Sequence, residues 1–446
     1  MSRSKSGDAS FNIFKSEIKF NNLKNFFFSQ NEVVYGIAYV RYPAIQISKK
    51  SLNGLWQKYF HDEDSLVTFF YNNYNTALTN AKKFDEEIKS KAVKVGGDDY
   101  AKIVQAATRQ AFGGTELVIG PTGEPWLMLK EISSDGNCQT ADVIYPHFPI
   151  QYYLNPSYIK MLIEPLLFEQ ESGLFPRKYA MHDLGSNYPR CIGHPSGSEE
   201  AMEVEESGNM IILAAAYVKA TKDNDFAKKH YKILRQWADY LVQKGLFPGN
   251  ALTTDDFLGR IKNATNLSLK AIVGLAAMGQ ISTAANVQSD VTYFNNVSKN
   301  YSQTWVKYSQ DSSKNHTKLG YGMDGSWSML YNLYPDKLLG TNVIPQSVID
   351  EMDNWYPQVQ QKYGVPLLSD KNNKPSHMAK ADWTMFQAAV SNTNVKTLLT
   401  HLLAKWLDET TSTAPFSDWQ DVVSGGSPGF LNRPVIGGVY APMTLN

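Results

Sequence analysis

Acidic residues gather in four segments of the chain, each beside glycine or aromatic residues. The segments are His182-Asp183-Leu-Gly185, Glu203-Val-Glu205-Glu206, Thr254-Asp255-Asp256-Phe257 and Lys380-Ala-Asp382-Trp383. Two carboxyl groups can hydrolyse a bond at neutral pH when one donates a proton and the other accepts one. All four segments fall in predicted loops, where functional residues tend to concentrate. They therefore predict a hydrolytic site built from carboxylates.

These acids also have structural interpretations. Glu203, Glu205 and Glu206 precede a predicted helix, and acids at that position stabilise a helix N-terminus through its dipole. Ser207 can already cap that helix, so this interpretation is weaker for the second and third of these acids. Asp255 can cap a short turn instead of facing a substrate. Because adjacent residues point in different directions, at most one of the two neighbouring aspartates should face a substrate.

Motifs for other chemistries are absent or fail on their context. The sequence contains no His-Glu-x-x-His and no phosphate-binding Gly-x-x-x-x-Gly-Lys-Ser/Thr. Residues 425–429 spell a nucleophile elbow, but Pro428 lacks the backbone N–H that an oxyanion hole needs. Residues 320–325 spell a dinucleotide fingerprint, but a polar run precedes them instead of a strand. Eight scattered histidines and two cysteines predict no zinc site.

Composition narrows the class of protein. The chain has 446 residues, 43% of them hydrophobic, which is enough for a large core. Lys plus Arg and Asp plus Glu each number 43, and this zero net charge gives no support to a nucleic-acid partner. No apolar run reaches the roughly 18 residues of a membrane span. We predict a soluble protein with a small-molecule substrate.

Cys138 and Cys191 are expected to be buried thiols, with a single bridge between them as the alternative.

The elements that must position these loops are mainly helical. Helical periodicity marks residues 64–95, 99–112, 156–171, 207–220, 225–244, 266–278, 285–308, 345–362, 376–389 and 394–408. Residues 32–47 predict one or two β-strands, and residues 117–133 predict a hairpin. Ten to twelve helices joined by long loops predict an α/α toroid with alternating inner and outer helices. An irregular helical bundle is the alternative that periodicity leaves open.

Several motifs resemble the glutaminase A family of fungi and bacteria. They are residues 130–149 (KEISSDGNCQTADVIYPHFP), 182–189 (HDLGSNYP), 203–210 (EVEESGNM), 254–259 (TDDFLG), 266–274 (NLSLKAIVG), 336–345 (DKLLGTNVIP), 363–367 (YGVPL), 380–383 (KADW) and 433–438 (RPVIGG). They occur in the family's order from about residue 50 to the C-terminus. The resemblance implies a mainly α fold, an (α/α)6 toroid like that of six-hairpin glycosidases, preceded by a β-sandwich. It also implies hydrolysis of L-glutamine to L-glutamate and ammonia without a cofactor or a metal.

Two features depart from the family pattern. We interpret residues 1–50 as the remnant of the β-sandwich or a linker and residues 51–446 as the toroid, so the chain is expected to be N-terminally truncated and without a signal peptide. Met378 and Ala381 stand where the family commonly has Tyr and Ser, which would remove two hydroxyl groups. The family implies an extracellular or cell-surface protein. Acceptor triplets for N-glycosylation at Asn263, Asn266, Asn296, Asn300 and Asn315 agree with that expectation.

For an amidohydrolase, residue type and motif position suggest roles. Glu206 and Asp256 are the expected acid and base, with Glu205, Asp255 and Asp183 orienting them. The expected substrate-binding residues are Asn209, Lys380, Asp382, Trp383, Arg190 and Tyr188, with Arg190 and Lys380 as partners for the substrate α-carboxylate. Two other functions stay open. One is a glycosidase in which Trp126, Trp327, Trp383 and Trp419 stack on sugars, and the other is a non-catalytic truncated relic.

Overall fold

Short strands lie outside the helices in the part of the chain that the structure describes. The computed structural model describes residues 2–6, 9–13, 37–370 and 372–445, with side chains from residue 38 onward. The strands are β1 (Ser2–Ser6), β2 (Ala9–Ile13), β3 (Ile37–Arg41), β4 (Ile45–Ile47), β5 (Lys50–Leu52), β6 (Thr115–Ile119), β7 (Pro125–Leu129), β8 (Arg190–Cys191), β9 (Met378–Lys380) and β10 (Trp419–Asp421). β1, β2 and β3 form an antiparallel sheet, and β4 pairs with β5 and β8. β3 and β4 confirm the predicted strands from residue 37 onward, whereas residues 32–36 lie outside the described residues.

Helices make up most of the described chain. In chain order they are α1 (Glu63–Asn72), α2 (Tyr74–Gly113), α3 (Ala141–Leu154), α4 (Ser157–Glu171), α5 (Glu203–Thr221), α6 (Asn224–Lys229), α7 (Tyr231–Lys244), α8 (Thr265–Ala284), α9 (Gln288–Ser309), α10 (Leu333–Leu339), α11 (Gln346–Val359), α12 (Ala381–Val390), α13 (Thr393–Glu409) and α14 (Ala441–Thr444). The segment Pro434–Tyr440, which we call the C-terminal 3-10 helix, leads directly into α14.

The helices form six hairpins in which an outer helix is followed by an inner one. The outer helices are α2, α4, α7, α9, α11 and α13, and the inner elements are α3, α5, α8, α10, α12 and the C-terminal 3-10 helix. Each inner element contacts the next in this order, and the C-terminal 3-10 helix contacts α3, which closes the ring. The predicted (α/α)6 toroid is therefore confirmed, and the irregular helical bundle is excluded.

The inner helices are buried on all sides. In α8, seventeen residues from Thr265 to Ser282 are buried, as expected of a helix that is apolar all round. Gly208 of α5 and Gly274 of α8 let these two helices approach closely, because a Cβ on Gly274 would lie 3.3 Å from the Gly208 Cα.

Among the described residues, α8 alone has the length and apolar composition of a membrane span. Because 83% of that apolar window is buried inside the protein, this is weak evidence for a membrane helix.

Helix α2 changes direction at a pair of glycines. Gly97 adopts a positive φ of 74°, a conformation that glycine accepts without steric cost. Before the kink only Ile88 and Ala92 of this helix are buried, whereas Tyr100 and the residues that follow it pack into the toroid. The predicted break between residues 95 and 99 is confirmed.

The sequence patterns missed two inner helices and misplaced the start of a third. Helix α3 contains Pro146 and Pro149, which argue against a helix in isolation. It persists because it is packed on all sides, with Gly437 of the C-terminal 3-10 helix so close that a Cβ there would lie 2.6 Å from the His147 carbonyl oxygen. The short helix α10 was not predicted either. The predicted helix at residues 376–389 begins only at Ala381, because residues 378–380 pair with β10 as a strand.

The two cysteines form a disulfide, which corrects the expectation of two thiols. Cys138 and Cys191 are bonded across 53 residues of sequence, with their Cα atoms 5.6 Å apart. Backbone hydrogen bonds link the same two loops, because Cys138 N–H donates to the Gly185 carbonyl at 2.8 Å and Leu184 N–H donates to the Cys138 carbonyl at 2.8 Å. The bridge therefore ties the segment before α3 to the loop that carries His182 and Asp183.

Candidate active site

The carboxylates of the four acidic segments meet where the inner helices begin. Asp142 lies in the first turn of α3, Glu205 and Glu206 in that of α5, and Asp382 in that of α12. Asp255 precedes α8, and the helix N-termini that converge here favour negative charge through their dipoles. We call this group, together with the side chains that contact it, the rim site.

A buried lysine neutralises one of the acids. Lys270 of α8 donates hydrogen bonds to the Glu205 carboxylate and, at 2.6 Å, to Oδ1 of Asn209. Its ammonium group also lies 3.8 Å from the ring centroid of Tyr145, a cation–π contact. Burial raises the pKa of Glu205, and the charge of Lys270 opposes that shift. Glu205 is thus part of a buried ion pair, and its orienting role stays a prediction.

The surroundings of Glu206 favour the neutral form of its carboxyl group. Its side chain is fully buried, and Oε2 accepts a hydrogen bond of 3.0 Å from Nδ2 of Asn209. Burial raises the pKa of Glu206 well above its usual value, and the neighbouring Asp142 carboxylate raises it further. A carboxyl group that keeps its proton at neutral pH can serve as a general acid.

His182 lies between two carboxylates. Its Nδ1 is 2.7 Å from Oδ2 of Asp183, and its Nε2 is 3.4 Å from Oδ1 of Asp142. Burial by itself lowers the pKa of His182, but these two carboxylates raise it well above its usual value. Asp183 is fixed in turn by Nε2 of His194 at 2.8 Å and by Nδ2 of Asn137 at 3.3 Å. Asp183 therefore orients His182, and the two residues act as one unit with Asp142.

The neighbouring aspartates Asp255 and Asp256 differ in environment. Asp255 is buried, and its two oxygens accept hydrogen bonds from the Tyr331 hydroxyl at 2.8 Å and from Nε1 of Trp383 at 3.2 Å. Asp256 is half-buried, and one of its oxygens accepts a hydrogen bond of 2.8 Å from the N–H of Phe257. Burial raises the pKa of Asp256, with a further contribution from Asp142. Of the pair, Asp256 is the one with an open carboxylate, as expected for adjacent acids that point in different directions.

A second group of charged side chains, which includes Lys380, Asp382, Asp418 and Arg433, belongs to the same site. Lys380 donates a hydrogen bond to the Asp418 carboxylate, and its ammonium group lies 3.7 Å from Oδ2 of Asp382. Arg433 lies 3.6 Å from Asp418 and donates a hydrogen bond of 3.2 Å to Glu131. Asp382 is fully buried, and neither of its oxygens accepts a hydrogen bond from the part of the chain that the structure describes. Burial raises the pKa of Asp382, against the charge of Lys380.

Two predicted substrate-binding residues make their contacts elsewhere. The Tyr188 hydroxyl donates a hydrogen bond of 2.9 Å to Glu116, and the guanidinium of Arg41 lies over the Tyr188 ring. Arg190 belongs to β8 and has an exposed side chain. Asn209, Lys380 and Trp383 contact the rim acids directly, as described above. The structure thus favours Arg433 over Arg190 as the arginine next to the carboxylates.

Sequence reasoning missed several members of the site. Asp142, Lys270, Asp418 and Arg433 were not among the predicted residues, and His182 was noted only as a neighbour of an aspartate. Lys270 lies within a predicted helical pattern, where a polar residue gives no sign of facing a site. Asp142, Lys270 and Arg433 do fall inside motifs shared with the resembling family, which is the signal that could have found them. The sequence also predicted no metal-binding group, yet Asp142, His182 and Glu206 place ligand atoms within 4.8 Å of one another.

A small cavity adjoins part of the site. It has a volume of about 30 Å³ and is lined by Glu205, Asp255, Tyr331 and Asn266 among others, which is room for about one water molecule. Trp126, Trp327 and Trp383, which the sequence offered as sugar-stacking residues, are each 1% exposed and pack in the core. Trp419, the fourth of these tryptophans, is half-buried, and its ring centroid lies 4.7 Å from that of Phe257.

A ring of six helical hairpins with carboxylates gathered at one rim defines an α/α-toroid protein with a site of hydrolase type. The sequence model of the Glutaminase A six helical-hairpin domain matches residues 97–443, and a domain of unknown function (DUF5127) matches residues 10–91. The chain belongs to the glutaminase A family. The first match begins at Gly97, where α2 is kinked, and the domain boundary that we predicted at residue 50 stays a prediction.

Relatives by sequence agree with this assignment, and a solved structure shares the fold. The chain is 39% identical over 423 residues to Glutaminase A of Aspergillus oryzae, covering 92% of this chain and 60% of that protein. It is 33% identical to a probable glutaminase of Arthroderma benhamiae, covering 93% of this chain and 58% of that protein. The chain thus spans about three fifths of the length of these relatives. A Streptococcus pneumoniae structure from a family of metal-independent α-mannosidases matches with a TM-score of 0.55, 11% identity and coverage of 82% of this chain and 97% of that chain, which shows a shared fold.

Proposed function

We propose that the protein is a glutaminase that converts L-glutamine and water to L-glutamate and ammonia. The observation that carries the proposal is a buried Glu206, whose pKa is raised well above its usual value, at the rim of a toroid that belongs to the glutaminase A family. Amide hydrolysis needs a base for the attacking water and an acid for the departing amine. We assign these two roles to carboxyl groups of the rim site.

The reaction can be written with two named carboxyl groups. Asp256, ionised, accepts a proton from water while the water oxygen attacks the side-chain amide carbon. Glu206 then donates its proton to the amide nitrogen, the carbon–nitrogen bond breaks, and ammonia leaves. Lys270 and Asn209 surround Glu206 and Glu205 and hold them in position. A proton passes back from Asp256 to Glu206 at the end of the cycle, which restores both groups.

The second group of charges suits the two charged ends of a free amino acid. Lys380 lies beside Asp382 and Arg433 lies beside Asp418. These two cations would attract the substrate α-carboxylate. Asp382 has two oxygens that accept no hydrogen bond from any described residue, and it would accept from the substrate α-ammonium group. This arrangement predicts a preference for free L-glutamine over glutamine inside a peptide, where both charges are absent.

The proposal is tested by ammonia release from L-glutamine, with L-asparagine and disaccharides as parallel substrates. Glu206→Gln should lower kcat by about 100-fold or more, which is the usual contribution of a general acid. Glu203→Gln is the matched control, because Glu203 lies in the same first helical turn but is only partly buried. Sugar cleavage alone, or undiminished glutamine turnover by Glu206→Gln, would contradict the proposal. If the folded wild-type chain releases no product from any of these substrates, the result would favour a non-catalytic relic.

We infer an extracellular or cell-surface location for the protein. Disulfides persist mainly in oxidising compartments, and Cys138 is bonded to Cys191. Three of the predicted glycosylation acceptors, Asn296, Asn300 and Asn315, have exposed side chains, whereas Asn266 is buried. Mass spectrometry of the secreted protein before and after removal of N-glycans tests the inference, and an unmodified protein retained inside the cell would contradict it.

A further inference from the structure

Three buried side chains of the rim site point their ligand atoms at a common space. The oxygen and nitrogen atoms concerned, on Asp142, His182 and Glu206, lie within 4.8 Å of one another. Oδ1 of Asp142 is 3.4 Å from Nε2 of His182, yet this oxygen accepts no hydrogen bond from any described residue. Oε1 of Glu206 accepts none either. Two carboxylate oxygens that are buried without donors are costly unless something else satisfies them.

Two of the three side chains are held from behind. Asp183 binds Nδ1 of His182 at 2.7 Å, which leaves Nε2 directed at the common space. Asn209 donates to the other oxygen of Glu206 at 3.0 Å. A carboxylate behind a histidine ligand and a hydrogen bond behind an acidic ligand are the support that metal ligands usually have.

A second histidine shows why this arrangement differs from an ordinary ion pair. His230 also lies between two carboxylates, with Glu171 at 2.8 Å from Nδ1 and Glu164 at 3.4 Å from Nε2. The two acids of that group sit on opposite ring nitrogens, so they cannot share one ion with the imidazole. At His182, Glu206 joins Asp142 and the imidazole in one group whose ligand atoms lie within 4.8 Å of one another.

We propose that Asp142, His182 and Glu206 bind one divalent transition-metal ion, and that its binding inhibits the hydrolysis proposed above. One imidazole nitrogen and two carboxylate oxygens form a ligand set that zinc accepts, with a fourth position left open. The inhibition rests on the proposed function, because an ion bound to Glu206 would occupy the group that donates a proton to ammonia. The binding itself is independent of that function.

The binding is tested with the full chain and Zn²⁺ alone. After treatment with a chelator and its removal, calorimetric titration should show one Zn²⁺ per chain, and Co²⁺ should give the visible absorption of a low-coordinate site. His182→Gln should weaken the affinity at least 10-fold, and Asp183→Asn should weaken it by about 10- to 100-fold through loss of orientation. His230→Gln is the matched control and should bind as the wild type does. Circular dichroism checks that each variant is folded.

Several outcomes would overturn the binding. The first is a folded wild-type protein that takes up no Zn²⁺ at 10-fold molar excess. The second is a Zn²⁺ affinity that is the same in both His182→Gln and Asp183→Asn as in the wild type, and the third is loss of Zn²⁺ binding in His230→Gln. The inhibition is tested separately by ammonia release at increasing Zn²⁺. Zn²⁺ that binds at the predicted residues without slowing an active enzyme would overturn the inhibition. A chain that binds Zn²⁺ at these residues but never releases ammonia would support the metal site and contradict the proposed glutaminase.

Discussion

Tyr331 stacks flat against Trp383, with ring centroids 4.1 Å apart and ring planes 10° from parallel. Each ring also donates a hydrogen bond to a different oxygen of Asp255. Tyr331 precedes α10 and Trp383 belongs to α12, so the stack joins two inner helices of the toroid through one carboxylate. Because both oxygens of Asp255 are engaged, the proposed reaction assigns the proton transfer to its neighbour Asp256.

Removing the Tyr331 hydroxyl should therefore destabilise the fold. Tyr331→Phe leaves an oxygen of the buried Asp255 without its donor, which costs about 1–3 kcal/mol of unfolding free energy. Urea denaturation of the variant measures the loss. Tyr293→Phe, at a tyrosine that is 41% exposed, is the control and should change little. Equal stability of the two variants would mean that the hydrogen bond to Asp255 contributes nothing.

The ion pair of Lys270 and Glu205 should respond differently to single and double substitution. Both side chains are fully buried, so Lys270→Met leaves an unpaired carboxylate and should cost about 3–5 kcal/mol of unfolding free energy. Adding Glu205→Gln removes the unpaired charge and should recover a large part of that loss. Denaturant titrations of the two single variants and the double variant measure the coupling. Additive losses would show that the pair does not interact.

The disulfide should stabilise the protein by constraining the unfolded chain. Replacing both Cys138 and Cys191 by Ser opens a loop closed across 53 residues, and the loss should be about 2–4 kcal/mol. Thermal unfolding with and without a reductant measures it, and the double variant should be insensitive to the reductant. Two reactive thiols in the denatured, unreduced wild type would contradict the bridge.

Stability should decrease in acid because of His147. Burial lowers the pKa of His147 to about 4, and its Nδ1 hydrogen-bonds the Pro434 carbonyl at 2.9 Å. The unfolded chain binds a proton near the ordinary pKa of 6.5, so this stabilisation is complete above that pH and is lost as the pH falls towards 4. At pH 5 the loss should be about 2 kcal/mol. Unfolding free energies at pH 5 and 8 should differ less in His147→Gln, and an unchanged difference would contradict the assignment.

The fold was predictable wherever helices have an ordinary amphipathic or apolar pattern. The helices α4, α5, α8, α9 and α13 appear close to the predicted positions, and the glycine kink in α2 was anticipated as a break. Helix α3 was not, because Pro146 and Pro149 obscure a helix that depends on packing from all sides. The first residues of the predicted helix at 376–389 form a strand, because their partner β10 lies about forty residues away in the sequence.

The candidate site was predictable in part. Glu205, Glu206, Asp255 and Asp382 could be named because they cluster in short segments, and Asn209 and Lys380 because they lie beside these acids. Lys270 and Arg433 were not named, because each lies far in the sequence from an acid that it contacts. Lys270 of α8 meets Glu205 of the neighbouring helix α5, and Arg433 meets Glu131 where the ring closes. The different environments of Asp255 and Asp256 also depend on tertiary contacts, and adjacent positions in the sequence give no sign of which one is engaged.

The closure of the ring by its last inner element has a consequence for how the protein is made. The C-terminal 3-10 helix packs against α3, and Arg433 at its start supplies a charge to the rim site. During synthesis this segment leaves the ribosome after the other five hairpins. The toroid can then close only after the inner element of the sixth hairpin has been translated. A nascent chain would have no assembled site, and a prematurely terminated one would expose the inner faces of α3 and α12 and become a substrate for quality control.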